Sequence, residues 1–268
     1  MDINTYLPGD NEKPLDRIVD DGGFAAMFRT IAVVGDSLSS GEFELNFPDG
    51  KTHYYDVFEQ SWGQYIARAM GSEVYNFSRG GMTAREYIES FAEKSGFWNP
   101  EYASQAYLVA LGANDVTMAL NDPDWPLGDI SDISEDWQSN KPTFTGFYAA
   151  ILQRYRVLSP GARFFLLTMP AEPEHDEKRT ALEDRHAEII RKLAKRFDDT
   201  YVIDLRAHSP AQDAAFKRRF YLNGHMNPMG YILTAKMVMS YMDYIIRKNP
   251  EEFNCVGMIG VDMDKPLC

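Results

Sequence analysis

Apolar residues gather into five short runs along this chain: Ile31 to Val34, Val74 to Phe77, Tyr107 to Leu111, Phe164 to Thr168 and Tyr201 to Leu205. Each has strand length and is bounded by polar or turn residues, which predicts five strands buried on both faces. Between them the period changes. Phe144, Phe147, Tyr148, Ile151, Leu152, Tyr155 and Leu158 recur at helical spacing and stop before Pro160-Gly161. Leu182, Ile189, Ile190, Leu193, Ala194 and Phe197 do the same amid many charges, so the stretch from Glu172 to Asp199 reads as a surface helix with a solvated face. A last helix is expected from Pro228 to about Ile246, with proline in a tolerated first-turn position. Strands alternating with helices require right-handed crossovers, so the expected class is α/β: a five-stranded parallel sheet with helices on both faces. The expected core is about residues 30–248 of a single domain spanning 1–268, with insertions at 42–56 and 116–142 and a tail at 249–268.

In such sheets ligands bind beyond the carboxyl ends of the strands. Gly35-Asp36-Ser37-Leu38-Ser39-Ser40-Gly41 stands at that end of the first strand. A serine hydroxyl flanked by small residues there suits a nucleophile; a strand-to-loop turn capped by Asp36 and Ser37 suits the residues equally. Three further segments tip the balance. Asn76-Phe77-Ser78-Arg79-Gly80-Gly81-Met82-Thr83 follows the second run, Gly112-Ala113-Asn114-Asp115 follows the third, and His225-Met226-Asn227-Pro228-Met229-Gly230-Tyr231 lies beyond the fifth. Every one of these loops falls at the ligand end.

These four segments, in this order over about residues 31–235, resemble the four blocks of the GDSL, or SGNH, hydrolases. The resemblance implies a flavodoxin-like SGNH-hydrolase fold and an esterase in which Ser37 attacks the ester carbonyl while His225 takes its proton and returns it to the leaving alcohol. It implies an oxyanion hole built from the Ser37 N–H, the Gly81 N–H and the Asn114 side-chain amide. Absence of a side chain at Gly81 would let backbone approach the substrate. One departure stands out. The family usually carries an aspartate three residues before the histidine, and here that residue is Leu222. A histidine acting as base needs an acceptor behind it to fix its tautomer, so a backbone carbonyl near Leu222 or a carboxylate from another segment is expected to serve.

Composition narrows the remaining possibilities. The 268 residues, 44% hydrophobic, are enough for a full core. A net charge of −13 disfavours nucleic acid and acidic membrane surfaces as partners. No apolar run approaches the roughly 18 residues of a membrane span, and the start, Met1-Asp2-Ile3-Asn4-Thr5, lacks a signal-peptide pattern, so the expected location is cytoplasmic. Cys255 and Cys268 suggest free thiols or one late bridge. With no Gly-x-Gly-x-x-Gly, phosphate loop, Cys-x-x-Cys or His-Glu-x-x-His, no cofactor and no metal are expected. Gly-x-Ser-x-Gly is missing too, which separates the chain from the α/β-hydrolase elbow.

Asp36 and Asp115 are expected to hold their loops through backbone N–H groups. His53, His175, His186 and His208 have no catalytic context, and His175 and His186 are expected to face solvent from the charged helix. Phe43, Phe47, Tyr54 and Tyr55 around Pro48-Asp49-Gly50 predict a hairpin directly after the nucleophile loop. Trp125 and Trp137 lie in the second insertion, where indoles either stack on sugar faces or anchor the loop. The reading is a serine esterase that removes a small acyl group, such as acetyl, from a polar small-molecule ester, with carbohydrate a candidate alcohol. The alternative is a weakened or non-catalytic ligand-binding member of the same fold. Oligomeric state is not legible in the residues.

Overall fold

Ile31, Ala32, Val33 and Val34 have no solvent exposure, and their burial places the first strand at the centre of the protein. The computed structural model describes residues 5–261. Strand β1 (Thr30–Gly35) pairs in parallel with β4 (Glu73–Ser78) on one side and β5 (Ala106–Ala110) on the other. Beyond β5 come β6 (Arg163–Leu167) and β7 (Thr200–Ile203), giving the order β4-β1-β5-β6-β7, all parallel. The five expected strands therefore form, each within a few residues of its apolar run.

Because side chains alternate along a strand, Ile31 and Val33 enter one core while Ala32 and Val34 enter the other. Helices Trp62–Met70 and Pro228–Lys248 cover the first face; Phe144–Leu158 and Glu177–Arg196 cover the second. Removing each large aliphatic side chain of β1 from water stabilises the fold by about 1.5–3 kcal/mol, which is why the strand reads as an unbroken apolar run.

The chain runs from β1 to β4 in one direction and then returns past β1 to β5. The strand order thus reverses beside β1, and a crevice opens between the loops that leave β1 and β5. Ser37 and Asn114 stand in the helical turns that follow those two strands.

The 42–56 insertion is the expected antiparallel hairpin, with β2 (Glu42–Asn46) facing β3 (Thr52–Asp56) in the register Glu42↔Asp56 and Glu44↔Tyr54. The 116–142 insertion differs from a plain loop. Its first residues complete a helix, Ala113–Asn121, and short 3-10 turns follow at Ile130–Asp132 and Trp137–Ser139. Trp137 packs against the second core, and Arg154 lies over its ring. Trp125 has Arg85 over its ring and bonds Asp115.

The charged helix departs further from expectation. His186 is fully buried, with Nε2 3.1 Å from the Leu111 carbonyl, and His175 is largely buried between Glu172 and Glu183. Both were expected to face solvent. The reason is that the helix buries a polar strip as well as an apolar one: Glu183 sits under the surface and is matched by Arg179, Arg206 and His175.

The amino-terminal segment packs along the last helix. Val19 N–H donates to Ser240 Oγ at 3.0 Å and Phe24 N–H to Asp243 Oδ1 at 2.9 Å. At the other end Phe253 stacks on Tyr201 at 5.1 Å, and Arg163 donates to the Glu252 carbonyl. Cys255 is exposed, whereas Cys268 lies outside the described residues. Among the described residues no helix is long and apolar enough to cross a membrane.

Candidate active site

Ser37 opens a single helical turn, Ser37–Ser40, directly after β1. Asp36 caps that turn, accepting the Leu38 N–H at 3.1 Å, and is almost fully buried. Burial pushes its carboxyl up to about 6, against the pull of that N–H and of His225. Asn114 lies in the first turn of the helix after β5 and donates through Nδ2 to the Met82 carbonyl at 3.0 Å. Asp115 beside it accepts the Ala84 N–H at 3.1 and 3.2 Å, and burial pushes it up to about 7. Both aspartates hold loops through backbone N–H groups, as expected. Gly81 has φ 72°, and a Cβ there would meet nothing, because it would project into open space.

His225 arrives from farthest away. β7 is the edge strand, so residues 204–224 must cross back over the carboxyl end of the sheet to deliver it. Tyr221 bridges Met226, Leu222 N–H donates to the His225 carbonyl at 2.8 Å, and Asn227 caps the helix that follows. The result is one cleft of about 470 Å³ lined by Ser37, Gly81, Asn114 and His225 together with Glu42, Tyr54 and Arg79. All four residues singled out by sequence meet there. A neighbouring recess shares Ser37, Asn114 and His225 and continues to Arg179 and Lys217. Neither Trp125 nor Trp137 lines the cleft or the recess; both serve to anchor.

Two carboxylates that flank the His225 ring, one of them on the cleft wall, had not been anticipated. Glu44 Oε2 is 3.1 Å from Nδ1 of His225, and Glu42 Oε1 is 3.1 Å from Nε2. The acceptor behind the ring is thus a carboxylate from another segment, the second of the two expected possibilities. Tyr54 meets the ring edge-on at 5.9 Å. Burial raises the Glu42 carboxyl, opposed by His225 and reinforced by Asp56 and Glu44. The Glu-x-Glu spacing carried a signal, since residues two apart on a strand share a face. Nothing local said what that face would meet. Ser37 Oγ makes no hydrogen bond to another described residue, and Nε2 faces Glu42. Free enzymes often align such pairs only when substrate binds.

The sequence profile of the GDSL-like lipase/acylhydrolase family matches residues 33–233, which includes all four site segments. The chain belongs to that family. By that membership it is an ester hydrolase. Solved esterase structures share the fold. An acetyl xylan esterase superposes with a TM-score of 0.52 at 18% identity, covering 79% of this chain and 98% of that one. A family two carbohydrate esterase from Clostridium thermocellum, in complex with cellohexaose, gives 0.55 at 15% identity over 84% of this chain and 65% of that one. The psychrotrophic esterase EstA from Pseudoalteromonas sp. gives 0.52 at 14% identity over 81% and 98%. A search of curated proteins gave no match.

Proposed function

We propose that this GDSL hydrolase removes a small acyl group, acetyl first among them, from a polar ester through an acyl-enzyme on Ser37, with His225 as the base. Convergence of Ser37, Gly81, Asn114 and His225 on one cleft, from four separate segments of the chain, is the observation that carries the reading. Ser37 Oγ attacks the carbonyl carbon as His225 Nε2 takes its proton. The carbonyl oxygen becomes an oxyanion facing the Ser37 N–H, the Gly81 N–H and the Asn114 amide. Collapse expels the alcohol, which receives the proton from His225, and water repeats the sequence to release the acid and free Ser37.

A carbohydrate alcohol is favoured by likeness of fold to an acetyl xylan esterase and to a cellohexaose-bound carbohydrate esterase. Arg79, Asp56 and Tyr54 stand on the walls of the cleft and offer hydrogen-bonding groups to a hydroxyl-rich ligand. Purified protein should hydrolyse p-nitrophenyl acetate faster than butyrate and much faster than a long-chain ester, and should release acetate from acetylated xylan oligosaccharides. Ser37→Ala should abolish all of these activities. A fluorophosphonate should add one label, at Ser37; esterase activity without that label would overturn the mechanism. Binding of the oligosaccharide with no turnover of any ester would favour the non-catalytic alternative.

A further inference from the structure

The ring of His225 finds its carboxylate on the inserted hairpin rather than on its own segment. Leu222 is 39% exposed and offers no side-chain acceptor. Behind His225 stands Glu44 instead, a residue 181 positions away, with Oε2 accepting the Gly224 N–H at 3.0 Å while it faces Nδ1 at 3.1 Å. We propose that Glu44, carried on the hairpin inserted after the nucleophile, is the positioning carboxylate of a Ser37–His225–Glu44 triad. This rests on the reading of Ser37 and His225 as nucleophile and base.

Four features support the assignment. Side chains of Glu44 and His225 are both mostly buried, 17% and 16% exposed, so the contact is shielded from bulk water. Strand β2 is pinned at two points around the histidine: Asn223 Nδ2 donates to the Glu44 carbonyl at 2.8 Å, and from the helix that follows the Tyr231 hydroxyl donates to the Glu42 carbonyl at 2.6 Å. Gly224 makes room for the carboxylate, because a Cβ there would lie 2.3 Å from Glu44 Oε2. The chemistry also selects Glu44 over Glu42. A carboxylate on Nδ1 holds the proton on that nitrogen and leaves Nε2 bare, the state a base requires. Glu42 faces Nε2 itself, the nitrogen that must accept the Ser37 proton, so it stands on the reacting side and gives way to Ser37 Oγ during attack.

The proton path balances without further reactants. Ser37 Oγ–H passes its proton to Nε2 as the Oγ–C bond forms, the ring becomes imidazolium, and Glu44 stays ionised opposite Nδ1–H throughout. A charged acceptor stabilises that imidazolium more than a carbonyl would.

The test uses the full chain with p-nitrophenyl acetate. Glu44→Gln, which keeps the shape and removes the charge, should lower kcat by on the order of 10²- to 10⁴-fold. KM should stay within about threefold and the thermal midpoint should be unchanged. The rate of fluorophosphonate labelling at Ser37 should fall in parallel with kcat, which a merely structural role for Glu44 would not require. A folded Glu44→Gln protein with parental kcat and labelling rate overturns the proposal, as does a loss confined to KM. Should Glu44→Gln not fold, Glu44→Asp keeps the charge but shortens its reach; kcat should then fall about tenfold or more with KM held, and parental kcat would overturn it. Ser37→Ala separates the two levels. If Ser37→Ala retains activity, the nucleophile reading itself fails; if Ser37→Ala is inactive while Glu44→Gln is fully active, only the role of Glu44 fails.

Discussion

His186 occupies the space that a side chain at residue 112 would need: a Cβ on Gly112 would lie 2.1 Å from His186 Nε2. The glycine of the third block is therefore set by a buried ring on the helix Glu177–Arg196. It also sits at φ 138°, where other residues are strained. That ring donates to the Leu111 carbonyl, and burial lowers its pKa to about 4, so it is a neutral spacer between this helix and the loop that carries Asn114. Gly112→Ala should destabilise the protein by about 2–4 kcal/mol in guanidinium unfolding, from overpacking and backbone strain together. Because the loop must shift to relieve the clash, kcat should fall as well.

Asn114 is held by its bond to the Met82 carbonyl, which uses one of its two amide hydrogens and leaves the other free. Under the proposed mechanism Asn114→Ala should lower kcat by about 10²- to 10³-fold with little change in KM, as loss of one preorganised oxyanion donor does. Steady-state kinetics on p-nitrophenyl acetate measures both. A near-parental kcat would make the third block structural in this chain.

Asp115 gives a stability prediction with a definite sign. Its carboxyl is pushed from 3.8 up to about 7 by burial, against the bonds from Ala84 and Trp125. With the folded value raised, the folded state holds the proton more tightly than the unfolded state. Stability from this group is therefore intact below about 4 and lost as pH rises toward 7, the gap corresponding to roughly 4 kcal/mol. Asp115→Asn cannot titrate. Its thermal midpoint, taken relative to the parent, should rise steadily between about pH 4 and pH 8, and a pH-independent difference would remove the argument.

Arg247 and Asp243 form an ion pair at 2.7 Å in which both side chains are 2% exposed, and Arg247 also reaches Glu12 at 2.5 Å. Removing the cation leaves a buried carboxylate without its partner. Arg247→Ala should cost about 3–5 kcal/mol in chemical denaturation. It should also loosen the amino-terminal segment, detectable as faster hydrogen exchange at the Phe24 amide, which donates to Asp243.

How much of this was legible in the residues depends on the range over which each feature is decided. The strands and long helices followed from periodicity, because whether a side chain at i and another at i+2 or i+4 share a face is settled by local backbone geometry. So was the hairpin around Pro48-Asp49-Gly50, whose turn residues lie between two runs of strand type. The four site segments were legible too, since their residue types mark the loops at one end of a parallel sheet. That much belongs to the chain alone. What lay beyond it were the pairings made across space. His186 and His175 looked solvated because their neighbours in sequence are charged, yet those charges neutralise one another around Glu183 beneath the surface. Trp125 and Trp137 sit in a loop at the ligand end and still turn away from the cleft toward arginines. The contact between Glu44 and His225 exists only because residues 204–224 cross the sheet from its edge strand and meet a hairpin that left β1 long before. A local pattern records which face a carboxylate is on; only the folded chain decides what stands opposite that face, and a charge takes its chemistry from what it faces.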